Sequence, residues 1–560
     1  MDDMEKKESV ESEAEVKATE EVAANEAAEE TVDASTEAPK EGHLDEEGIL
    51  EYDDSNASKI DKFFGVTRFG SSIRTEIMAG LVTFLAMCYI LVVNPSNILD
   101  AFGLGLGVAT SVSWGSVFIA TALGAVVGTL LMAFVAKMPL AQAPGMGLNF
   151  TVGTILLGAV GGIAFSFGQA MLLVLISGII FLIVSIVPIG KDKETGKYVT
   201  LREKIFDGMP VCIRKAIPVG IGLFIAFIGL KNAQVITANV GTFVQFVTLN
   251  TAEAWALGGS ACSAMVCLFG FFVIIVLDHF KIKGSVIIGI LAATILAIPL
   301  QVADLNTLAG NGAVSWKFWE NFASFFTVGQ NSAFLSVFES GFTGWTGSMI
   351  PTAIVLIITF CMIDMFDTMG TVVGCATNAG LIDKNGKPHN YNKIMLSDSI
   401  ATATGALFGT STVTTFVESG SGIAVGGKTG MVALVTACLF FLAIFIAPVF
   451  AFIPSAACAP ALLYVGVLMM KNVVNIDFKD IRFAVPAFLT ILMMPLTYSI
   501  TNGIGVGVIS YVVINFIIWL VNIIRFKAGK LQEKPRMEIS IVLAVIFVLF
   551  LVYFFVPQAF

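Results

Sequence analysis

Apolar runs of membrane-crossing length recur from residue 74 almost to the end of this chain, and they constrain its fold more than any other feature. They fall at 74–98, 109–136, 142–158, 162–188, 212–231, 254–277 and 283–301, and then, after a polar stretch at 302–347, at 348–374, 395–409, 414–425, 429–449, 455–471, 480–498 and 502–523. A further run occupies 537–557. A helix needs about 20 apolar residues to span hydrocarbon, and most of these runs approach or exceed that length. Of the 560 residues, 56 % are hydrophobic and 13 % charged, too few charges to cover a soluble protein of this size. The expectation is an all-α polytopic membrane protein with 14 core spans and an extra C-terminal hydrophobic segment.

Charge is distributed unevenly. Residues 1–58 hold 21 Asp and Glu against 4 Lys, a net of −17, while the remainder carries about +7, with 28 basic and 21 acidic residues. The acidic stretch has few large apolar residues and reads as a disordered cytoplasmic tail rather than a signal peptide. Beyond it, Lys and Arg gather in alternate loops: seven between 191 and 215, then Lys281 and Lys283, then Lys384, Lys387 and Lys393, then five from Arg525 to Arg536. The 302–347 loop has only Lys317, and Lys231 is the exception to the alternation. Basic loops lie on the cytoplasmic side, so the pattern predicts a multi-pass protein of the plasma membrane with its N-terminus inside.

Seven spans followed by seven give two halves of opposite orientation, the inverted-repeat plan of secondary transporters. The domains expected are the tail 1–58, a first repeat 59–301, an outside loop 302–347, a second repeat 348–523 and a basic linker with extra segment 524–560. A sequence echo accompanies this plan: AIPVGIGLFIAFIGLKNAQVI (216–236) parallels AACAPALLYVGVLMMKNVVNI (456–476), in the fifth and twelfth spans.

The third and tenth spans, equivalent in such a repeat, are both broken. PLAQAPGMGLNF (139–150) holds Pro144, which lacks an N–H and disfavours helix at Ala143, followed by Gly145 and Gly147, which tolerate unusual backbone. TSTVTTF (410–416) is β-prone and runs into Val417-Glu418-Ser419. The reading is two short extended segments near the midplane, each leading into a half-helix whose free N–H groups could meet a flat heterocycle. The eighth span holds ITFCMIDMFDTMGTVVG (358–374), where Asp364 and Asp367 share a helix face. Acids at membrane depth mark functional sites by default. Burial raises a carboxyl pKa, so a buried carboxyl can change charge near neutral pH. Asp367, Glu418 and Asp364 are therefore expected to take part in proton coupling, with Na⁺ a competing ion. Asp367 and Glu418 are also substrate-binding expectations. Phe416 shares the side-chain parity of Glu418 and could stack on a planar ligand. Asn149, Gly147, Thr415 and Thr83 complete the expected binding set, and Tyr89 and Asn94 are further polar groups of the first span.

Eight scattered cysteines without a ligand-like spacing read as small core residues, and three histidines lie in the tail and loops. No metal, cofactor or nucleic-acid partner is expected. The absence of HExxH or a nucleophile–base pair speaks against an intramembrane enzyme.

FGVTRFGSSIRTEIMAGLVTFLAMCYILVVNPSNIL, APGMGLN, IGLFIAFIGLKNA, DMFDTMGTVVG and GTSTVTTFVESGSGIAVGGKTG resemble the AzgA-like purine permeases of the nucleobase–cation symporter and nucleobase–ascorbate transporter superfamily. The likeness runs from about Phe63 to Val521. It implies core spans 1–4 and 8–11, gate spans 5–7 and 12–14, and proton-coupled uptake of hypoxanthine, guanine or adenine by an elevator-like movement. By position it assigns Asp367 and Glu418 as the acids of spans 8 and 10, Phe416 beside the base and Asn149 at the span 3 site. Uracil and xanthine branches carry Glu-His in span 8 where this chain has Asp367-Thr368, which favours purines. An anion transporter of the same fold, a non-coupled channel and a homodimeric state remain open alternatives at this point.

Overall fold

A computed structural model describes residues 43, 44, 49–55, 57–99, 112–158, 163–191, 198–239, 243–282, 284–303, 315–327, 332–382, 388–528, 535–537 and 539–555. Most of the acidic tail and parts of the 302–347 loop and the 524–540 linker lie outside these residues. Among the described residues nine helices are long and apolar enough to cross a membrane. They are α1 (Ile73–Leu99), α2 (Trp114–Ala136), α4 (Phe167–Ile186), α6 (Val211–Asn232), α7 (Ser260–His279), α10 (Met349–Ala379), α13 (Gly430–Ala451), α14 (Ser455–Val474) and α16 (Ile500–Lys527). Shorter apolar helices are α3 (Met146–Leu156), α8 (Ser285–Ala297), α15 (Ile481–Leu496) and α17 (Ile541–Phe555). The remaining helices that matter below are α5 (Leu201–Gly208), α9 (Phe318–Phe326), α11 (Tyr391–Phe408) and α12 (Ser419–Ile423).

Local chemistry sets many of these boundaries. Ser166 and Gln169 form a reciprocal capping box at the start of α4. Thr429 caps α13 through its hydroxyl, and the buried Glu76 of α1 accepts hydrogen bonds from Lys428 N and Thr429 N at 2.9 and 3.2 Å. A carboxylate at a helix N-terminus meets unpaired N–H groups and the positive end of the helix dipole, so this contact ties α1 to α13. The 31 residues of α10 extend roughly 46 Å at 1.5 Å per residue, longer than the hydrocarbon layer, with Asp364 at the midpoint.

Helix packing divides into two groups. In the first, α1 packs on α2, α3, α12 and α13, while α11 packs on α2 and α4, and α10 on α4. In the second, α6 packs on α14, α15 and α16, and α7 on α8 and α14. The groups meet along fewer contacts, chiefly α10 and α3 against α6, and α1 against α8 and α14. The C-terminal helix α17 touches α16 of the second group and α10 of the first.

Two runs that hydropathy alone would call spans are each a short strand followed by a helix. Strand β1 (Gln142–Pro144) precedes α3, and strand β2 (Val413–Thr415) precedes α12. They pair antiparallel, Gln142 with Thr415, Ala143 with Thr414 and Pro144 with Val413. Flanking bonds lengthen the pair: Gly145 N donates to Thr412 O at 2.9 Å and Phe416 N to Ala141 O at 3.0 Å. Irregular backbone at membrane depth needs such partners, because lipid supplies none. Two glycines make room. A Cβ on Gly128 of α2 would lie 2.9 Å from Gln142 Oε1, and one on Gly405 of α11 would lie 2.6 Å from Val413 Cγ2.

Candidate functional site

The strand pair sits in the first helix group, and the two segments leaving it carry the polar side chains. Glu418 comes three residues after β2, at the entrance of α12, and is only 5 % exposed. Tyr89 donates its hydroxyl to Glu418 Oε1 at 2.6 Å and also contacts Met146 Sδ at 3.5 Å. Tyr89 occupies a break within α1, between the helical stretches Ile73–Met87 and Ile90–Leu99. Three interrupted elements therefore converge on one carboxylate. The second oxygen of Glu418, Oε2, has no hydrogen-bond partner within the protein.

Beside this carboxylate a cavity of about 520 Å³ opens between the two helix groups. Its walls include Asp367 and Gly370 of α10, Val417 and Gly420 on either side of Glu418, and Pro218 and Leu468 from α6 and α14. Arg214 and Lys215 of α6 line it as well. Asp367 is half-buried and lies within electrostatic reach of Glu418. The volume falls in the range of small-molecule pockets, and a mostly apolar wall with a few polar groups is their usual composition.

Around β2 lies a second, buried polar cluster, none of whose members lines the cavity. Asp398 of α11 is fully buried and accepts from Gln142 Nε2 at 2.5 Å, from Thr368 Oγ1 at 2.7 Å and from Thr415 Oγ1 at 3.4 Å. Gln142 is held in turn by Thr129 of α2, whose hydroxyl donates to Gln142 O at 2.9 Å and accepts from Gln142 N at 3.0 Å. Thr368 shares a hydrogen bond with Thr414 at 2.7 Å. Asp364 joins the cluster through Thr402, which donates to Asp364 Oδ2 at 2.6 Å. Sequence reasoning missed both Asp398 and Gln142. The signal was present for Asp398, a lone acid in LSDSIATATGALF, but it reads there as an ordinary polar residue near a helix start.

The other expected site residues are distributed as follows. Thr415 belongs to the sealed cluster through its hydroxyl. Asn149 is fully buried on α3 and accepts from Asn97 Nδ2 at 3.2 Å, its own Nδ2 having no protein partner. Thr83 is buried against Gly422 of α12, and its hydroxyl also has no partner. Gly147 lets α3 approach the second helix group, since a Cβ there would lie 2.5 Å from Ile500 Cδ1. Phe416 is buried with its N–H bonded to Ala141, and it is Val417 and Gly420 that form the cavity wall. Asn94 is spent within the first group, donating to Thr121 and Thr410 at 2.7 and 2.8 Å and accepting from Ser411 at 3.4 Å. Structure thus puts Asp367 in the cavity wall with Glu418 next to its lining residue Val417, and bonds Asp364 and Thr415 into the buried cluster.

Comparison with known proteins adds to this geometry. A family model described as the permease family matches residues 74–506. The adenine permease AdeP of Escherichia coli is 33 % identical over 499 residues, covering 89 % of this chain and 97 % of that protein. The guanine/hypoxanthine permease PbuG of Bacillus subtilis is 35 % identical over 454 residues, covering 80 % of this chain and 92 % of its own. Among solved structures, the transmembrane domain of a cyanobacterium bicarbonate transporter, BicA, has a TM-score of 0.50 at 14 % identity, covering 78 % of this chain and 97 % of that one. That last likeness concerns the fold alone.

Proposed function

We propose that this chain, which belongs to the permease family, imports purine nucleobases by proton symport, with the base held at the edge formed by Glu418 and Asp367. Permeases are transporters, so the acids serve binding and coupling rather than bond-breaking. The observation that carries the reading is a cavity between two helix groups with Asp367 in its wall and Glu418 next to the lining residue Val417. A purine ring presents N–H donors, and Glu418 Oε2 is an acceptor without a protein partner. It also presents ring-nitrogen and carbonyl acceptors, and Asn149 Nδ2 is a donor in the same condition. The names of the relatives, adenine permease and guanine/hypoxanthine permease, agree with that chemistry.

Coupling follows from charge. A carboxyl that binds a proton together with the base can cross neutral, and return after both have left. In this reading the first helix group carries the site and slides against the second, an elevator movement within a 14-span 7+7 inverted repeat. The looser contact between the groups and the antiparallel pairing of β1 with β2 support it. The protein would sit in the plasma membrane with its N-terminus in the cytoplasm. An anion substrate is the competing reading. It would find Arg214 and Lys215 in the cavity wall, but would also face Asp367.

Uptake of labelled hypoxanthine, guanine and adenine in a host lacking purine transport tests the proposal. Accumulation of at least one base, abolished by a protonophore and unaffected by excess bicarbonate or sulfate, is expected. No accumulation of any base at any pH overturns it, and persistence with protonophore but dependence on Na⁺ overturns the coupling ion.

A further inference from the structure

Between α8 and α10 the chain carries a short helix, α9, that the transport reading leaves unused. Its sequence is FWENFASFF, and its side chains sort into three sectors. One faces the protein. Phe325 is fully buried and packs on Phe334 at 5.4 Å, which stacks in turn on Phe408 at the end of α11. Phe318 packs on Phe445 of α13 at 5.1 Å. These contacts fix α9 to the first helix group, at the end where α11 finishes.

A second sector is polar. Lys317 pairs with Glu320 at 3.0 Å, Ser315 donates to Glu320 at 3.1 Å, and Asn321 bonds the Ser315 backbone in both directions. The hydrogen bond from Lys317 holds the Glu320 carboxyl below its ordinary range, so this sector stays ionised and hydrated while its net charge is zero.

The third sector is aromatic and uncovered. Trp319 is 57 % exposed and Phe326 50 %, with Trp316 beside them at 48 %. Through the ring contacts of Phe318 and Phe322 with Phe445, this helix adjoins α13, whose Phe441, Leu442 and Ile446 are exposed too. Those residues belong to a membrane-crossing helix, and the uncovered apolar side of such a helix meets lipid. An exposed aromatic patch on a helix that adjoins a lipid-facing surface, and is bordered by a hydrated ion pair, has the composition of an interfacial helix.

We propose that α9 lies in the headgroup layer of the bilayer, with Trp319 and Phe326 turned into the lipid and Lys317 and Glu320 into water, anchoring the first helix group at one membrane surface. Trp favours the headgroup level because its ring is apolar and its N–H polar. A neutral polar sector needs no anionic lipid, so the partner is the phospholipid interface in general. This assignment stands whatever substrate the cavity takes.

Depth-resolved quenching of the full-length protein in phosphatidylcholine vesicles tests it. The Trp319 contribution is the difference between wild-type emission and that of Trp319→Phe, and Trp316→Phe provides a second difference at the same sector. A spin label high on the acyl chain should quench Trp319 roughly twofold more than one near the chain end, as a ring about 5–10 Å into the headgroup boundary requires. Aqueous iodide should quench it weakly, and added phosphatidylglycerol should change nothing. Free quenching by iodide with none by the lipid labels places the ring in water and overturns the proposal. Stronger quenching by the deep label overturns it in favour of a site in the hydrocarbon. Protection from all quenchers, in a dimer that Trp319→Phe dissociates, overturns it in favour of a second copy covering this face.

Discussion

Glu418 and Asp398 are 20 residues apart, are both carboxylates inside an apolar helix group, and flank the same strand, yet their surroundings are opposite. Asp398 receives three hydrogen bonds on two oxygens, from Gln142, Thr368 and Thr415, and is not among the residues lining the cavity beside Glu418. Glu418 receives one side-chain hydrogen bond, from Tyr89, keeps one oxygen without a protein partner and has cavity-lining residues on both sides. Both oxygens of Asp398 are paired, although Gln142 Oε1 and Asp364 Oδ1 nearby have no protein partner, and a carboxylate paired on both oxygens in a low-dielectric interior rigidifies what it binds, whereas an unpaired oxygen is costly unless something else completes it. The contrast separates an acid whose hydrogen bonds tie the strand pair to α10 and α11 from an acid that keeps one oxygen unpaired beside the cavity.

Substitutions can break that distinction. The largest effect is expected from Asp398→Leu. It removes the acceptor shared by Gln142, Thr368 and Thr415 and leaves these donors only their bonds to one another and to Thr414, where each buried polar group short of a partner costs about 1–3 kcal/mol. Detergent-solubilised protein should lose several degrees of thermal midpoint or fail to run as a monodisperse peak. A wild-type melting profile would show that Asp398 is not structural. Next in size is Glu418→Gln, which should leave the melting profile unchanged while purine uptake falls roughly 10- to 100-fold, the equivalent of one charge-assisted hydrogen bond of about 1.5–3 kcal/mol. Asp367→Asn should behave likewise. If either instead lowers stability as Asp398→Leu does, the buried cluster and the cavity acids are not functionally distinct.

Tyr89→Phe removes the single donor to Glu418, and an approximately fivefold rise in apparent KM is expected for the loss of about 1 kcal/mol of orientation. The smallest effect belongs to Thr402→Val, which takes the donor from Asp364. A loss near 1 kcal/mol in stability with unchanged KM is expected, read by parallel unfolding and uptake measurements.

How far the sequence carried these conclusions depended on the range of the interactions. Apolar runs, the break at Pro144, the β-prone TSTVTTF and the acids Asp364, Asp367 and Glu418 are local signals, each readable within a dozen residues. The pairing of Gln142 with Thr415 is not, because nothing within either segment encodes a partner 273 residues away. For the same reason Asp364 and Asp367, three apart on one helix, looked like two members of one site. Only the third dimension shows that Asp364 bonds Thr402 beside the buried Asp398 cluster while Asp367 lines the cavity. Asn94 shows the reverse case, a polar side chain whose neighbours Thr121 and Thr410 take up both of its amide hydrogens.

The strand pair also governs when this protein can finish folding. Translation proceeds at about 5–20 residues per second, so β1 waits roughly 15–50 s for β2 to leave the ribosome. Throughout that interval the backbone around Ala141 and Gly145 is inserted without the partners it later finds at Phe416 and Thr412. A chain cut short before Val413 therefore lacks the partner that pairs with Gln142–Pro144, and its first half cannot close the strand pair by itself.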